Sequence, residues 1–257
     1  MLLEASGLTK SFGGVTAIAD LDFQVPAGLV YAVIGPNGAG KTTLFNLLSG
    51  IYRPDEGRLR FAGEDLGGRQ PYQIARLGLA RTFQNLQIFF NLSVLENVMV
   101  GAHARGCQGM VAALLRTPAM RREERQIRAW AWEALDFCGL GELAARPASA
   151  LPYGALKRLE VARALAAQPR LLLMDEPAAG LNDTETLAMR DLIGRLRDQG
   201  ITVLLVEHHM GLVMRVSDRI LVLDYGSRLA EGTPAEIRAN PQVIAAYLGG
   251  EVHYAVE

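Results

Sequence analysis

Cysteine is nearly absent from the 257 residues: Cys107 and Cys138 stand far apart, with no C-x-x-C spacing. That excludes a disulfide framework and a cysteine zinc site, and points to a reducing compartment. A charge of one sign is also missing, because 26 basic and 27 acidic residues leave a net charge of −1. Nothing in that balance draws the chain to a polyanion, so no nucleic-acid partner is expected. Leu171 to Met174 and Ile201 to Val206 are apolar but fall far short of the roughly 18 residues that a membrane-crossing helix needs. The opening MLLEASGLTK has no secretory-signal pattern, and there are no repeats or low-complexity tracts. What is present is an ordinary globular composition, 50% hydrophobic and 21% charged with 27 glycines. The length suits one large domain carrying an inserted unit.

Short apolar runs rich in strand formers alternate with helical patterns, as where Leu29 to Ile34 leads into Thr42 to Leu48. That order predicts an α/β fold with a mostly parallel core sheet. Leu171 to Met174 and Ile201 to Val206 lack polar alternation, as strands covered on both faces do. Leu21 to Val25, Arg58 to Phe61, and a hairpin of Ile220 to Leu223 with Arg228 to Ala230 across Asp224-Tyr225-Gly226 predict an antiparallel β flank. Residues 94–166 read as an inserted α-helical subdomain within a single domain of residues 1–257, whose α/β core is formed by 1–93 and 167–257. Inside the insert, Arg121 to Arg128 is the solvated face of a helix that continues through Trp130, Ala131, Trp132 and Leu135. Thr233-Pro234-Ala235-Glu236 has the cap, first-turn proline and acidic third position of a helix start, which places a helix near the C-terminus.

The strand Leu29 to Ile34 runs into Gly35-Pro36-Asn37-Gly38-Ala39-Gly40-Lys41-Thr42-Thr43, the spacing of a P-loop. Glycines let successive backbone N–H groups turn towards phosphate oxygens, the following helix offers its positive end, and Lys41 brings a mobile charge to the β and γ phosphates. Thr42 offers a hydroxyl ligand for magnesium. The chain has only three lysines, and its own composition gives about 0.002 chance matches to this pattern. A P-loop needs a second, acidic element, and LLLMDEP at residues 171–177 supplies it: Asp175 to bind magnesium and Glu176 to orient or deprotonate the attacking water. A γ-phosphate sensor must reach the site from another strand end, on the side of a parallel sheet where ligands bind. Gln84, after Arg81-Thr82-Phe83, and His208, after Ile201 to Val206, stand at such positions.

Taken in order, these residues resemble the ATP-binding cassette (ABC) family, whose ATPase subunits drive transporters. GPNGAGKTT, the Q-loop glutamine Gln84, the signature segment LPYGA at 151–155, LLLMDEP, the D-loop AAGLN at 178–182 and the switch histidine His208 all occur in the family's sequence. The resemblance covers nearly the whole chain. It implies the family's P-loop NTPase fold, with ATP and Mg2+ as cofactors, and adds Gln84 to Thr42 and Asp175 as a contact to the metal. It puts Phe12 where an aromatic ring stacks on adenine. It also implies two ATPase subunits, identical or homologous, closing head to tail so that Tyr153 and Gly154 of one cover ATP held by the other. Gly154 precedes the helical run from Leu156, whose start would aim amide donors at the γ-phosphate. The family usually writes its signature LSGGQ. Here Pro152, with neither hydroxyl nor N–H, and Tyr153 replace Ser and Gly, Ala155 replaces Gln, and Asn182 stands where many relatives have aspartate.

RTFQNLQIF at 81–89, NLSVLENV at 91–98 and EPAAGLN at 176–182 are most similar to one branch, the ATPase subunits of branched-chain amino acid importers. That likeness implies a motor for import of branched-chain or other hydrophobic amino acids, peripheral on the cytoplasmic face of the inner membrane. Its partners would be two membrane-spanning permease subunits and, indirectly, a soluble substrate-binding protein. The alternatives are urea or amide import, lipopolysaccharide export, and a non-transport ATP-dependent clamp, the last disfavoured by Glu176 and His208. A guanine-specific relative would carry Asn-Lys-x-Asp, yet none of the three lysines follows an asparagine.

Overall fold

A computed structural model of the chain describes residues 1–105 and 118–248. Cys107, part of the expected helical insert (106–117) and the end of the expected C-terminal core segment (249–257) lie outside the described residues. The described strands form two sheets. The first holds β1 (Leu3–Phe12), β2 (Val15–Val25), β4 (Glu56–Phe61) and β5 (Glu64–Asp65) in the order β2-β1-β4-β5, all antiparallel. Gly13 and Gly14, both at positive φ, turn β1 into β2. The second sheet has the order β10-β9-β3-β8-β7-β6, from β3 (Val30–Ile34), β6 (Leu79–Arg81), β7 (Leu171–Asp175), β8 (Thr202–Val206), β9 (Arg219–Asp224) and β10 (Ser227–Gly232). Every pair in it is parallel except β9 with β10.

The helices are α1 (Lys41–Leu48), α2 (Pro71–Arg76), α3 (Val94–Ala102), α4 (Pro118–Phe137), α5 (Tyr153–Leu165), α6 (Asp183–Asp198), α7 (Met210–Val216), α8 (Pro234–Ala239) and α9 (Pro241–Leu248). Strands β3, β7 and β8 are buried at every position, which is why their sequences show no polar alternation. Their side chains still alternate between faces. Tyr31 and Val33 of β3 join Phe23, Phe45 and Phe61 in a core between the two sheets, whereas Ala32 and Ile34 pack with Val213 and Ile237 of α7 and α8. Val203 and Leu205 of β8 face a third core with Ile127 and Leu135 of α4, Leu159 of α5 and Ile193 of α6.

The α/β class, the mostly parallel core sheet, the antiparallel sheet and the helices agree with the sequence reading. Two features differ. The expected antiparallel flank is two separate pieces: β2 and β4 lie in their own sheet, but the β9–β10 hairpin extends the large sheet through a parallel pairing of β9 with β3. The signature helix begins at Tyr153 rather than Leu156, because Pro152 occupies the N-cap (φ −66, ψ 158) and its carbonyl accepts the N–H groups of Ala155 and Leu156 at 3.0 and 3.1 Å. Gly is a poor helix former and Tyr a middling one, so the sequence alone puts this start too late. The start at Thr233 is capped as its residues predict, with reciprocal bonds to Glu236.

Phe61 is fully buried between the sheets. Phe61→Ala is expected to cost about 3–5 kcal/mol from lost transfer energy and the cavity left behind, read as a lower urea midpoint at unchanged slope.

Candidate active site

The loop after β3 is set by close approach of its neighbours. Gly40, the N-cap of α1, has φ +99, and a Cβ there would meet the Ala17 carbonyl oxygen at 2.5 Å and Ile18 Cδ1 at 2.8 Å. A Cβ at Gly35 would run into the Leu223 carbonyl oxygen. Strands β2 and β9 thus leave room for glycine only, while Asn37 and Gly38 face solvent between the half-buried Pro36 and the buried Ala39. The first N–H turned back along α1 is that of Leu44, bonded to the Gly40 carbonyl at 2.8 Å, so the N–H groups of Lys41, Thr42 and Thr43 have no acceptor within the helix. This is the arrangement that receives phosphate oxygens. Lys41 is buried and donates Nζ–H bonds to the carbonyls of Gly35 (2.6 Å) and Pro36 (2.8 Å). Burial pushes its ammonium below the usual lysine range, and the carboxylates of Glu176 and Asp175 pull it back up. Thr42 is exposed at the helix start and Thr43 half-buried.

Three parallel strands deliver the remaining groups to the same edge. β7 ends at Asp175, whose Oδ2 lies 3.0 Å from Arg81 Nη2 at the end of β6. The other terminal nitrogen of Arg81 reaches Asn46 Oδ1 (2.7 Å) and Ser49 Oγ (3.0 Å), and the guanidinium sits between the Phe45 and Phe83 rings. Burial pushes the Asp175 carboxyl up, and the Arg81 hydrogen bond opposes it. Glu176 follows in the left-handed region at φ +49, a strained conformation for this residue, with its N–H on the Val206 carbonyl at 2.9 Å. His208 Nε2 lies 2.9 Å from Glu176 Oε1, and Gln84 Nε2 donates to Glu176 Oε2 at 3.1 Å. A carboxylate gripped from both sides in this way can orient a water and take its proton.

The donor set suits a small hard cation. Thr42 offers a hydroxyl and Asp175 carboxylate oxygens, and among the described residues no three His, Cys, Asp or Glu side chains form a metal cage. A site with one or two carboxylates that leaves the rest of the shell to phosphate and water is what Mg2+ accepts. Gln84 directs its amide nitrogen to Glu176, which leaves its amide oxygen available as an acceptor for another partner.

Four charged residues at this edge lie outside the nucleotide-binding residues that the sequence points to: Arg81, Lys157, Glu160 and Glu207. Lys157, one turn into α5, is buried and points Nζ at the carbonyls of Gln84 (3.5 Å) and Glu176 (3.4 Å). Glu160, one turn later, accepts the Phe83 N–H at 3.1 Å. The buried Glu207 accepts N–H groups from Ala178 (2.8 Å), His208 (2.8 Å) and His209 (3.2 Å). The one available sequence signal was rarity, since Lys157 is one of three lysines.

The other predicted residues stand elsewhere. Phe12 is 42% exposed and meets Tyr52 edge-on with ring centres 5.1 Å apart. Tyr153 and Gly154 pack on their own chain's Gly180 and Glu185 rather than on the P-loop. As first-turn residues of α5, their N–H groups have no acceptor within the helix. Asn182 caps α6, its Oδ1 accepting the Glu185 N–H at 2.9 Å while Glu185 accepts the Asn182 N–H at 3.2 Å. Asn and Asp cap equally well, so this departure costs the helix nothing.

A family model described as ABC transporter matches residues 18–179, and one described as branched-chain amino acid ATP-binding cassette transporter matches 227–253. The chain is 47% identical over 249 residues to the high-affinity branched-chain amino acid transport ATP-binding protein BraF of Pseudomonas aeruginosa, covering 96% of this chain and 98% of that one. It is 46% identical over 251 residues to the corresponding protein LivG of Escherichia coli K12, with the same coverage. Among solved structures, the ADP conformation of an ATP-binding cassette of an ABC transporter superposes with a TM-score of 0.84 at 32% identity, covering 96% of this chain and 98% of that one.

Burial raises the Glu160 carboxyl above the usual glutamate range, outweighing the Phe83 N–H and the nearby Lys157 and Arg163 charges. The native state therefore favours the protonated form, and that stability is lost as pH rises through the raised value. Glu160→Gln keeps an acceptor for Phe83 without the charge. Its Tm is expected to exceed the wild-type value at pH 8, with the gain shrinking as pH falls towards 4; a gain that grows on acidification would contradict this.

Proposed function

The chain belongs to the ABC transporter ATP-binding family, and on that premise we propose that it is the ATP-hydrolysing motor of an importer for branched-chain or other hydrophobic amino acids. The observation that carries the hydrolytic part is the contact of Gln84 and His208 with the two oxygens of Glu176, at the strand edge that also holds Lys41 and Asp175. The importer part rests on the likeness to BraF and LivG along nearly the whole chain.

When bound, ATP with Mg2+ supplies the phosphoryl group to be transferred and a cation that neutralises its charge. Lys41, Gly35 to Thr43 and the first-turn N–H groups of α1 bind the phosphates, Phe12 stacks on the base, and Thr42, Asp175 and Gln84 hold the cation. Glu176 orients a water and takes its proton, and His208 Nε2 steadies the Glu176 carboxylate. Arg81 keeps Asp175 at the strand edge through its ties to α1. Tyr153 and Gly154 close over the nucleotide of a second, identical or homologous ATPase subunit placed head to tail, so a single chain holds an incomplete site.

The proposed core spans 1–93 and 167–257 and the proposed helical subdomain 94–166, of which residues 1–105 and 118–248 are the described ones. Between them, beside the Q-loop, lies a mainly apolar cleft of about 790 Å3, lined by Phe83, Leu86, Ile88, Phe89 and Val100 among others. No helix among the described residues is long and apolar enough to cross a membrane. The cleft is where cytoplasmic segments of two membrane-spanning permease subunits dock, with the motor peripheral on the cytoplasmic face and a soluble binding protein selecting the cargo. Arg81 and Phe83 line the cleft and also touch Asp175 and Arg81 respectively, which links docking to the site.

Lys41→Ala is expected to abolish nucleotide binding or turnover, and Glu176→Gln to keep ATP bound in a closed dimer while turnover falls at least about a hundredfold. Wild-type turnover in either variant would remove the assigned role. Mass spectrometry of what copurifies with the tagged chain from gently solubilised native membranes tests the importer part. Two multi-spanning subunits, a second ATPase and a soluble binding protein that takes leucine rather than urea or amides are expected. Lipid-export components, or no membrane protein, would overturn the importer assignment.

A further inference from the structure

Glu207 is a carboxylate that is only 3% exposed, has two oxygens, and serves two loops. Oε1 accepts the N–H of Ala178, two residues beyond Glu176, at 2.8 Å. Oε2 accepts the N–H of His208 itself at 2.8 Å and that of His209 at 3.2 Å. The side chain therefore grips the backbone on each side of the Glu176–His208 contact, at positions that are 29 residues apart in one case and adjacent in the other. We infer that Glu207 is a positioning residue for ATP hydrolysis, setting the distance between the loops after β7 and β8 and so holding the His208 imidazole on the Glu176 carboxylate.

Three further observations support this. Glu176 sits at φ +49, a conformation that persists only when its surroundings over-determine it. The bond of its own N–H to Val206 fixes one side of that residue, and the bond of Ala178 to Glu207 fixes the other. On the second loop, His209 accepts the Leu212 N–H at 3.0 Å through Nδ1, so the backbone that Glu207 holds is also anchored to α7. The chemistry of the grip needs a carboxylate, because all three partners are N–H donors. A glutamine offers one acceptor oxygen, and its NH2 group would face either Ala178 or the two histidine N–H groups, donor against donor.

The inference rests on the proposed roles of Glu176 and His208. The test is a double-mutant cycle on the full-length chain purified together with the subunits that copurify with it, with Glu207→Gln, His208→Ala and the pair, reading ATP turnover, KM, affinity for a fluorescent ATP analogue, and Tm. Glu207→Gln is expected to lower kcat by about 10- to 100-fold, the scale of a misplaced catalytic group, with KM and nucleotide affinity unchanged within about twofold. In the His208→Ala background the same change is expected to lower kcat by less than about twofold, since the residue acts through His208. Should Glu207→Gln melt below the assay temperature, Glu207→Asp enters the cycle instead; it keeps the charge but is one methylene too short to span both loops. Wild-type kcat in the Glu207 variant, a loss that multiplies with that of His208→Ala, or a loss confined to KM overturns the inference alone. Unchanged turnover in His208→Ala overturns it together with the role proposed for His208.

Discussion

The parallel pairing of β6, β7, β8 and β3 is the constraint from which the site follows. Parallel strands start at one edge of a sheet and end at the other, so Arg81, Asp175, Val206 and Ile34 all finish on one side. The P-loop, Glu176, His208 and Gln84 are the residues that follow or adjoin those ends. Because β3, β7 and β8 are buried on both faces, their side chains pack into close-packed cores on each side, which hold the strands in place. A polar constellation is thus mounted at the ends of strands that are buried on both faces.

Buried charge is concentrated at that same edge, and its energetics argue for function over stability. Removing two ions from water costs several kcal/mol each, and replacing a buried pair by apolar groups is often neutral or stabilising. The Arg81–Asp175 pair, 7% and 5% exposed, is therefore a poor device for stability. It is a good one for holding a carboxylate still, because Arg81 is itself tied to Asn46 and Ser49 and packed between two rings. Lys157 and Glu160 do the same for the backbone around Gln84: they project from successive turns of α5 onto the carbonyl of Gln84 and the N–H of Phe83. The helix that carries the signature segment is in this way fastened to the Q-loop and to the Glu176 carbonyl of its own chain.

That fastening gives the signature departures a physical context. Pro152 brings no hydroxyl, but it suits the extended N-cap it occupies and leaves the N–H groups of Tyr153 and Gly154 unspent. Gly154 lies so close to Glu185 that a side chain there would displace it, and the Tyr153 ring covers Gly180. On the proposed head-to-tail reading, α5 then faces two nucleotides at once, presenting its first turn to the partner's and its Lys157 to the loops around its own.

The sequence by itself determined what depends on short range. The P-loop was legible because its glycines, Lys41 and Thr42 lie within eight consecutive residues after an apolar strand, and the conformation that makes them work is local. The buried strands and the helix start at Thr233 were legible for the same reason, through composition and capping. Gln84, Glu176 and His208 were legible as family motifs, but their meeting was not, since Gln84 and Glu176 lie 92 residues apart. Arg81, Lys157, Glu160 and Glu207 were not legible in these roles: each has a partner 19 to 94 residues away, a backbone group or a carboxylate whose position no local pattern encodes. Strand order, which puts β7 between β6 and β8, was decided by the tertiary structure, because only packing on both faces of the sheet selects which buried strands become neighbours.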